Sequence, residues 1–292
     1  MRRKNMKRIA TIQDISCFGK CSITVALPLI SAMGIECCIV PTSLLSTHTG
    51  GFTGYTFKDL SSEILPIAEH WKRIGLSLDA IYTGYLGSPE QIELIKNFIQ
   101  MTRSPETMIF VDPAMADNGK LYAGFEDTFP QKMLELCQNA DVIVPNITEA
   151  SLMLGKPYLK AGEYGEDYIR SLIDGFVGLG VGTVVITGVK YSDGKHGAVA
   201  YSAESGEYVS YFSEDFPKQF HGTGDTFSSV LCGALVKGAD IYTAIKSAVD
   251  FTVLCIEKTV PDFDTHPYGV KFEDCIPTLC EISKNIEEGA SK

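Results

Sequence analysis

The stretch HGTGDTFSS, residues 221–229, holds the residues best suited to chemistry. Gly222 and Gly224 let a backbone come close to a ligand. An apolar rhythm follows at Phe227, Val230, Leu231, Ala234 and Leu235, which predicts a helix starting near Gly224 and closed by Gly238. The first N–H groups of a helix lack partners, and its dipole is positive at that end. The backbone of Gly222, Thr223 and Gly224 is therefore a candidate anion hole for a phosphate. Asp225 sits at the same mouth. The dipole and the N–H donors would hold its carboxyl ionised, ready to accept a proton from a hydroxyl that attacks phosphorus. It could equally be a helix cap worth ~1 kcal/mol, a task Thr223 could also fill. Spacing alone leaves both readings open.

The elements that must position this stretch alternate between strand and helix. Residues 7–14 read as a strand, 21–34 as a helix and 36–43 as a second strand. Helical spacing runs over 57–75 despite Pro66, 79–84 is a strand, and 88–100 is a helix with Ser88 as N-cap and Pro89 in its first turn. TMIFVD, DVIVPN and GTVVITG are continuous apolar runs, as expected for strands buried on both faces of a parallel sheet. GAVAYSA and EYVSYFS alternate instead and fit antiparallel strands at one edge. Helices over 224–238 and 240–258 complete the pattern. The result is a doubly wound, mostly parallel α/β sheet flanked by helices on both faces. No linker divides the chain, so residues 1–292 are read as one domain, with 1–6 and 283–292 expected to fray.

In such sheets ligands bind beyond the carboxyl ends of the strands. Those ends hold Asp14, Thr47, His48, Thr49, Tyr85, Asp112, Asp117, Asn146 and Glu149. Acidic groups on one rim suggest Mg²⁺, which takes one or two carboxylates and is completed by water and phosphate. Asp112, Asp117 and Glu149 are the candidate metal residues, with Asn146 in support. The bland alternatives are a first-turn acid for Glu149 and a simple turn for Asp117–Asn118–Gly119.

A formal net charge of −11 argues against nucleic acid or an anionic membrane as partner. The nine cysteines include no C-x-x-C pair and fit reduced thiols in a cytoplasmic protein. No apolar run reaches the ~18 residues of a membrane span, and the basic N-terminus precedes too short an apolar stretch for a signal segment. No GK pair is followed by Ser or Thr, so there is no Walker A loop. The first strand is not followed by the glycine fingerprint of nicotinamide dehydrogenases.

HGTGDTFSS, together with VPNITEASLMLG, VDPAMADNGKLY, LSTHTGG and TGYLGS, resembles the pyridoxal kinases of the ribokinase-like superfamily. These motifs stand in family order over about residues 14–235. The resemblance implies a ribokinase-like fold without a large lid domain. It implies ATP-dependent phosphorylation of the 5′-hydroxymethyl of pyridoxal, pyridoxine or pyridoxamine, with Mg²⁺, K⁺ in many members, and a homodimer. Asp225 would then be the base, with Gly222, Thr223 and Gly224 as anion hole. Asp112, Asp117, Glu149 and Asn146 would manage metal and phosphates, and Tyr122, Thr187 and Gly188 would lie near the nucleotide. Asp14, His48, Thr49 and Tyr85 would line the pyridine pocket.

The chain departs from the family pattern in four places. Asp14 replaces a common Ser and would favour a substrate with a donor or positive charge, such as the ammonium of pyridoxamine. Gly51 stands where an aromatic is common, His221 where an apolar residue is common, and Gly188 where a hydroxyl often touches phosphate. The rival readings are hydroxymethylpyrimidine kinase, which commonly has Cys in place of Asp225, and a non-catalytic vitamer-binding protein, which would have lost the acidic set.

Overall fold

The computed structural model describes residues 6–191, 194–216 and 218–289. The first strand, β1 (Arg8–Ser16), is almost wholly buried, and it leads through α1 (Ile23–Ala32) to β2 (Glu36–Leu45). The edge strand β3 (Phe57–Asp59) precedes α2 (Ser61–Arg73), so the helical spacing seen from 57 becomes helix only from 61. Phe57, Lys58 and Asp59 are all exposed and pair with the end of β2 instead. Then come β4 (Ala80–Thr83), α3 (Pro89–Thr102), β5 (Met108–Val111) and a small hairpin of β6 (Ala116–Asp117) and β7 (Lys120–Leu121). Helix α4 (Phe129–Cys137), β8 (Val142–Ile143), α5 (Ile147–Met153) and α6 (Glu166–Val177) lead to β9 (Thr183–Lys190). The hairpin β10 (Lys195–Ser202) and β11 (Glu207–Glu214) is followed by α7 (Thr223–Val236), α8 (Ile241–Thr259) and α9 (Ile276–Gly289).

The main sheet runs β11-β10-β9-β8-β5-β4-β1-β2-β3. From β2 to β9 every neighbouring pair is parallel, while β3, β10 and β11 are antiparallel additions at the two edges. The continuous apolar runs are explained by burial on both faces. Ile81, Ile109, Val111 and Val184 pack with α2 to α6 on one side. Ala80, Tyr82, Phe110 and Val185 pack with α1, α7, α8 and α9 on the other. No described helix is long and apolar enough to cross a membrane.

The expected fraying at the C-terminal end is corrected: residues 283–289 belong to α9. Ile276, Leu279, Ser283 and Ile286 share a helical face, and the last three are buried. Residues 1–5 and 290–292 lie outside the described residues.

Phe98 on α3 is fully buried with its ring edge-on to Trp71 at 5.8 Å. Phe98→Ala is expected to lower the unfolding free energy by ~3–5 kcal/mol, measured as a fall in the urea midpoint.

Candidate active site

The parallel strands deliver the candidate residues to one rim. Asp14 stands near the end of β1, Asp112 follows β5, Asn146 follows β8, and Thr187 lies in β9. Asn146 and Thr187 are joined by a parallel bridge, and Thr187 N–H donates to the Pro145 carbonyl at 3.0 Å. His48 and Thr49 belong to the loop after β2, and Tyr85 to the loop after β4.

The mouth of α7 is built on Gly222. It is the N-cap residue, left-handed at φ 77°, and a Cβ there would lie 2.2 Å from the Lys20 carbonyl oxygen. Any side chain would therefore push the β1–α1 loop away from the helix. The Thr226 N–H, the first to bond inside the helix, donates to the Gly222 carbonyl at 2.9 Å. The N–H groups of Thr223, Gly224 and Asp225 precede it and are the helix's unpaired donors. The Thr223 hydroxyl is turned to the Phe220 carbonyl at 3.1 Å and does not cap. Gly224 is exposed and faces open space.

Asp225 is not the cap, because it lies three residues inside the helix start. It is half-buried, and its carboxyl is pushed up to about 7. Burial is the main cause; the charge of Asp112 adds to it, the Ser22 N–H opposes it, and Asp14 raises it again. The expectation that dipole and donors keep this group strongly ionised is thus corrected. Desolvation and two neighbouring carboxylates outweigh them.

Asp112 is buried and accepts a hydrogen bond from the Ser228 hydroxyl at 2.7 Å. Burial nevertheless pushes its carboxyl up. Glu149 is buried too, and burial followed by the Asp112 charge pushes it up. Its Oε1 accepts from the N–H of Met115 at 3.1 Å and of Ala116 at 3.5 Å, and its Oε2 from the N–H of Asn146 at 2.8 Å. The Glu149 N–H in turn donates to the Asn146 Oδ1 at 2.9 Å, closing a capping box on α5. Glu149 thereby ties the loop after β5 to α5. Asp117 is exposed and accepts from the Asn118 N–H at 2.8 Å and side-chain amide at 3.0 Å, so it orders the β6–β7 turn. Its charge reaches Tyr122, whose phenol is pushed up by burial and then by Glu149, Asp117, Asp112 and Asp225. Among the described residues no three His, Cys, Asp or Glu side chains form a ready metal cage. Carboxylates with no basic partner suit a cation that brings water and phosphate ligands with it.

Among the residues expected to line a pyridine pocket, His48 is buried and both ring nitrogens are engaged. Gly50 N–H donates to Nδ1 at 3.1 Å, and Nε2 lies 3.0 Å from the Tyr268 carbonyl, to which it donates. Tyr85 is half-buried, its phenol pushed up to about 12 by burial, Asp14 and Tyr55. Thr49 is exposed, as is Gly188, which has φ 70°. His221 is exposed as a residue, but its ring lies 5.1 Å from that of His48 and closes against Gly50, and this packing lowers its proton affinity.

Sequence reasoning missed Ser22 and Ser228. Ser22 is buried at φ 52° and ψ −132°, and it directs its N–H to Asp225 and its hydroxyl to Asp14. Nothing in the sequence marks a serine for positive φ. Ser228 had a signal: it lies one helical turn from Asp225 in the same nine-residue stretch.

The parallel sheet, the rim of carboxylates and the open helix start define a small-molecule kinase of the ribokinase-like fold. The chain belongs to the phosphomethylpyrimidine kinase family, whose model matches residues 9–266. It is 32% identical over 188 residues to a pyridoxine kinase of Bacillus subtilis, covering 64% of this chain and 67% of the relative. A Bacteroides thetaiotaomicron protein assigned as a phosphomethylpyrimidine kinase, crystallised with pyridoxal, is 35% identical with a TM-score of 0.89, covering 94% of this chain and 96% of the other. An ADP complex of Bacillus subtilis pyridoxal kinase is 25% identical with a TM-score of 0.73, covering 87% and 93%.

Gly222→Ala is expected to lower kcat by about 10²-fold or more by displacing the helix start, while circular dichroism stays close to wild type. If Asp225 accepts a proton in the reaction, kcat/KM must fall about tenfold per pH unit below about 7, because protonation removes the base. A profile flat down to pH ~5.5 would contradict that role.

Proposed function

We propose that the protein is an ATP-dependent kinase of vitamin B6 salvage, phosphorylating the 5′-hydroxymethyl of pyridoxal, pyridoxine or pyridoxamine. The observation that carries this reading is Asp225, a carboxyl close to neutral proton affinity beside unpaired helix donors that open on free space. On this reading the acceptor oxygen attacks the γ-phosphorus of ATP and Asp225 takes its proton. The bond from γ-phosphorus to the β–γ bridging oxygen breaks, and ADP leaves. The N–H groups of Gly222, Thr223 and Gly224 receive the charge on the transferred phosphoryl group.

Asp112, Asp117 and Glu149 would hold Mg²⁺, which shields phosphate charge when bound, and K⁺ is a further expected cofactor. Glu149, with both oxygens engaged by backbone N–H groups, would act through its remaining lone pairs. Asn146, Tyr122, Thr187 and Gly188 would border the nucleotide, and Asp14, His48, Thr49 and Tyr85 the vitamer. With its two nitrogens occupied, His48 would offer the vitamer a ring face. We place the enzyme in the cytoplasm as a homodimer, a state supported by the exposed apolar side chains Ile39, Leu44 and Phe57 at the β2–β3 edge. One second reading is phosphorylation of a hydroxymethylpyrimidine, supported by a family description that names a pyrimidine kinase.

The test is ADP release from Mg²⁺–ATP with pyridoxal, pyridoxine, pyridoxamine, hydroxymethylpyrimidine and ribose. A vitamer should be the best substrate, and Asp225→Asn should lower kcat on it by about 10²–10⁴-fold. Turnover of hydroxymethylpyrimidine alone would select the second reading. Vitamer binding with no ADP release would leave a binding protein on a kinase scaffold.

A further inference from the structure

Asp14 is a buried carboxylate that no Lys or Arg pairs with among the described residues. The β1–β2 ladder shifts register at this residue: Gln13 is opposite Pro41 and Ile15 opposite Leu44, so Thr42 and Ser43 share the space beside Asp14. Such a bulge re-aims side chains and is common beside functional sites. Asp14 is 5% exposed. Its Oδ2 accepts from the Ser16 hydroxyl at 3.1 Å, and the Ser22 hydroxyl faces it as a second donor. Both donors are neutral. Among the described residues no Lys or Arg forms an ion pair with it, and His48, the nearby imidazole, spends both nitrogens on backbone groups. Burial pushes the Asp14 carboxyl up, against the two serines.

Its neighbours place it on the acceptor side. Its charge is felt by the Tyr85 phenol and by Cys21, whereas that of Asp112 falls on Tyr82, Glu149 and Tyr122; Asp225 lies between them and feels both, Asp112 the more. A buried charge held by two hydroxyls and its own backbone N–H, all neutral donors, is costly until a partner arrives. Ser16 and Ser22 leave lone pairs of the carboxylate free for one.

We propose that Asp14 is a specificity-determining residue whose carboxylate pairs with a protonated nitrogen of the acceptor. The inference rests on the acceptor pocket proposed above. It narrows the substrate class to hydroxymethyl heteroaromatics that carry a cationic nitrogen when bound. In the vitamers two groups share that chemistry, the ring N–H⁺ and the 4-aminomethyl ammonium of pyridoxamine. Either forms a charge-assisted N–H···O bond with a carboxylate.

The experiment compares wild type, Asp14→Asn and Asp14→Ser in steady-state ADP release with pyridoxal, pyridoxine and pyridoxamine. The KM for pyridoxamine should rise about tenfold or more in both variants, with kcat within about threefold, because a charge-assisted bond made equally in ground and transition states is lost. A rise confined to pyridoxamine assigns the ammonium, and an equal rise for all three assigns the ring nitrogen. KM values within about twofold of wild type throughout overturn the inference. Thermal melting supplies the second readout. Without vitamer the Asp14→Asn protein should melt no lower than wild type, and the rise in Tm on adding pyridoxamine should shrink. A lower melting temperature with undiminished vitamer protection makes Asp14 structural and also overturns the inference. Wild-type inactivity toward all three vitamers removes the acceptor assignment, and this inference with it; the wild-type arm alone tells that failure apart.

Discussion

Four carboxyl groups, Asp14, Asp112, Glu149 and Asp225, are gathered at the carboxyl rim of the sheet with no Lys or Arg among the groups that set their proton affinity. All four are raised above the usual carboxylate range, chiefly by burial. A carboxyl whose folded pKa is raised binds its proton better when folded. Each therefore withdraws stability as pH climbs from the unfolded value of ~4 through the folded one. The rim destabilises the free protein at neutral pH, and positive charge arriving with ligands would relieve it. The proposed affinity for cation-bearing ligands would thus be the counterpart of a fold held under electrostatic strain.

The scaffold tolerates this because its strength lies elsewhere. Two apolar layers, one on each face of the sheet, bury the central strands. The rim is then assembled by a few local devices. The left-handed Gly222 lets the Lys20 carbonyl approach the start of α7. The strained Ser22 places one donor on each of two carboxylates. The capping box of Asn146 and Glu149 draws the loop after β5 toward α5.

The sheet was legible in the sequence because burial on two faces leaves unbroken apolar runs such as IFV and VVI, and the edge hairpin because it alternates. The start of α7 was legible from its glycines and its 3.6 rhythm. What escaped depends on contacts between distant segments. The register of β3 is set by pairing to Leu45 and its neighbours, against a local helical pattern. Helix α9 hides behind polar residues because only one narrow face, Leu279, Ser283 and Ile286, is buried. The proton affinity of Asp225 was read with the wrong sign, since Asp112 and Asp14 are 113 and 211 residues away in the chain (225 − 112 and 225 − 14). A helix dipole is visible in a local pattern; desolvation and like charge from other strands are not.

That same result bears on the two readings of Asp225 that the sequence left open, cap and proton acceptor. A capping carboxylate occupies the N-cap, accepts N–H bonds and is stabilised in its ionised form, so its proton affinity drops. Asp240 at the start of α8 behaves in that way: it accepts from the Thr243 N–H at 2.8 Å, and that backbone bond lowers its carboxyl. Asp225 does the opposite. It sits inside the first turn of α7, leaves the N-cap to Gly222, and is raised to about 7. As a structural element it would weaken the helix it begins. A carboxyl kept at such a cost, close to neutral affinity and beside the open start of α7, fits the demands on a proton acceptor proposed above, which works best when its affinity lies near the operating pH.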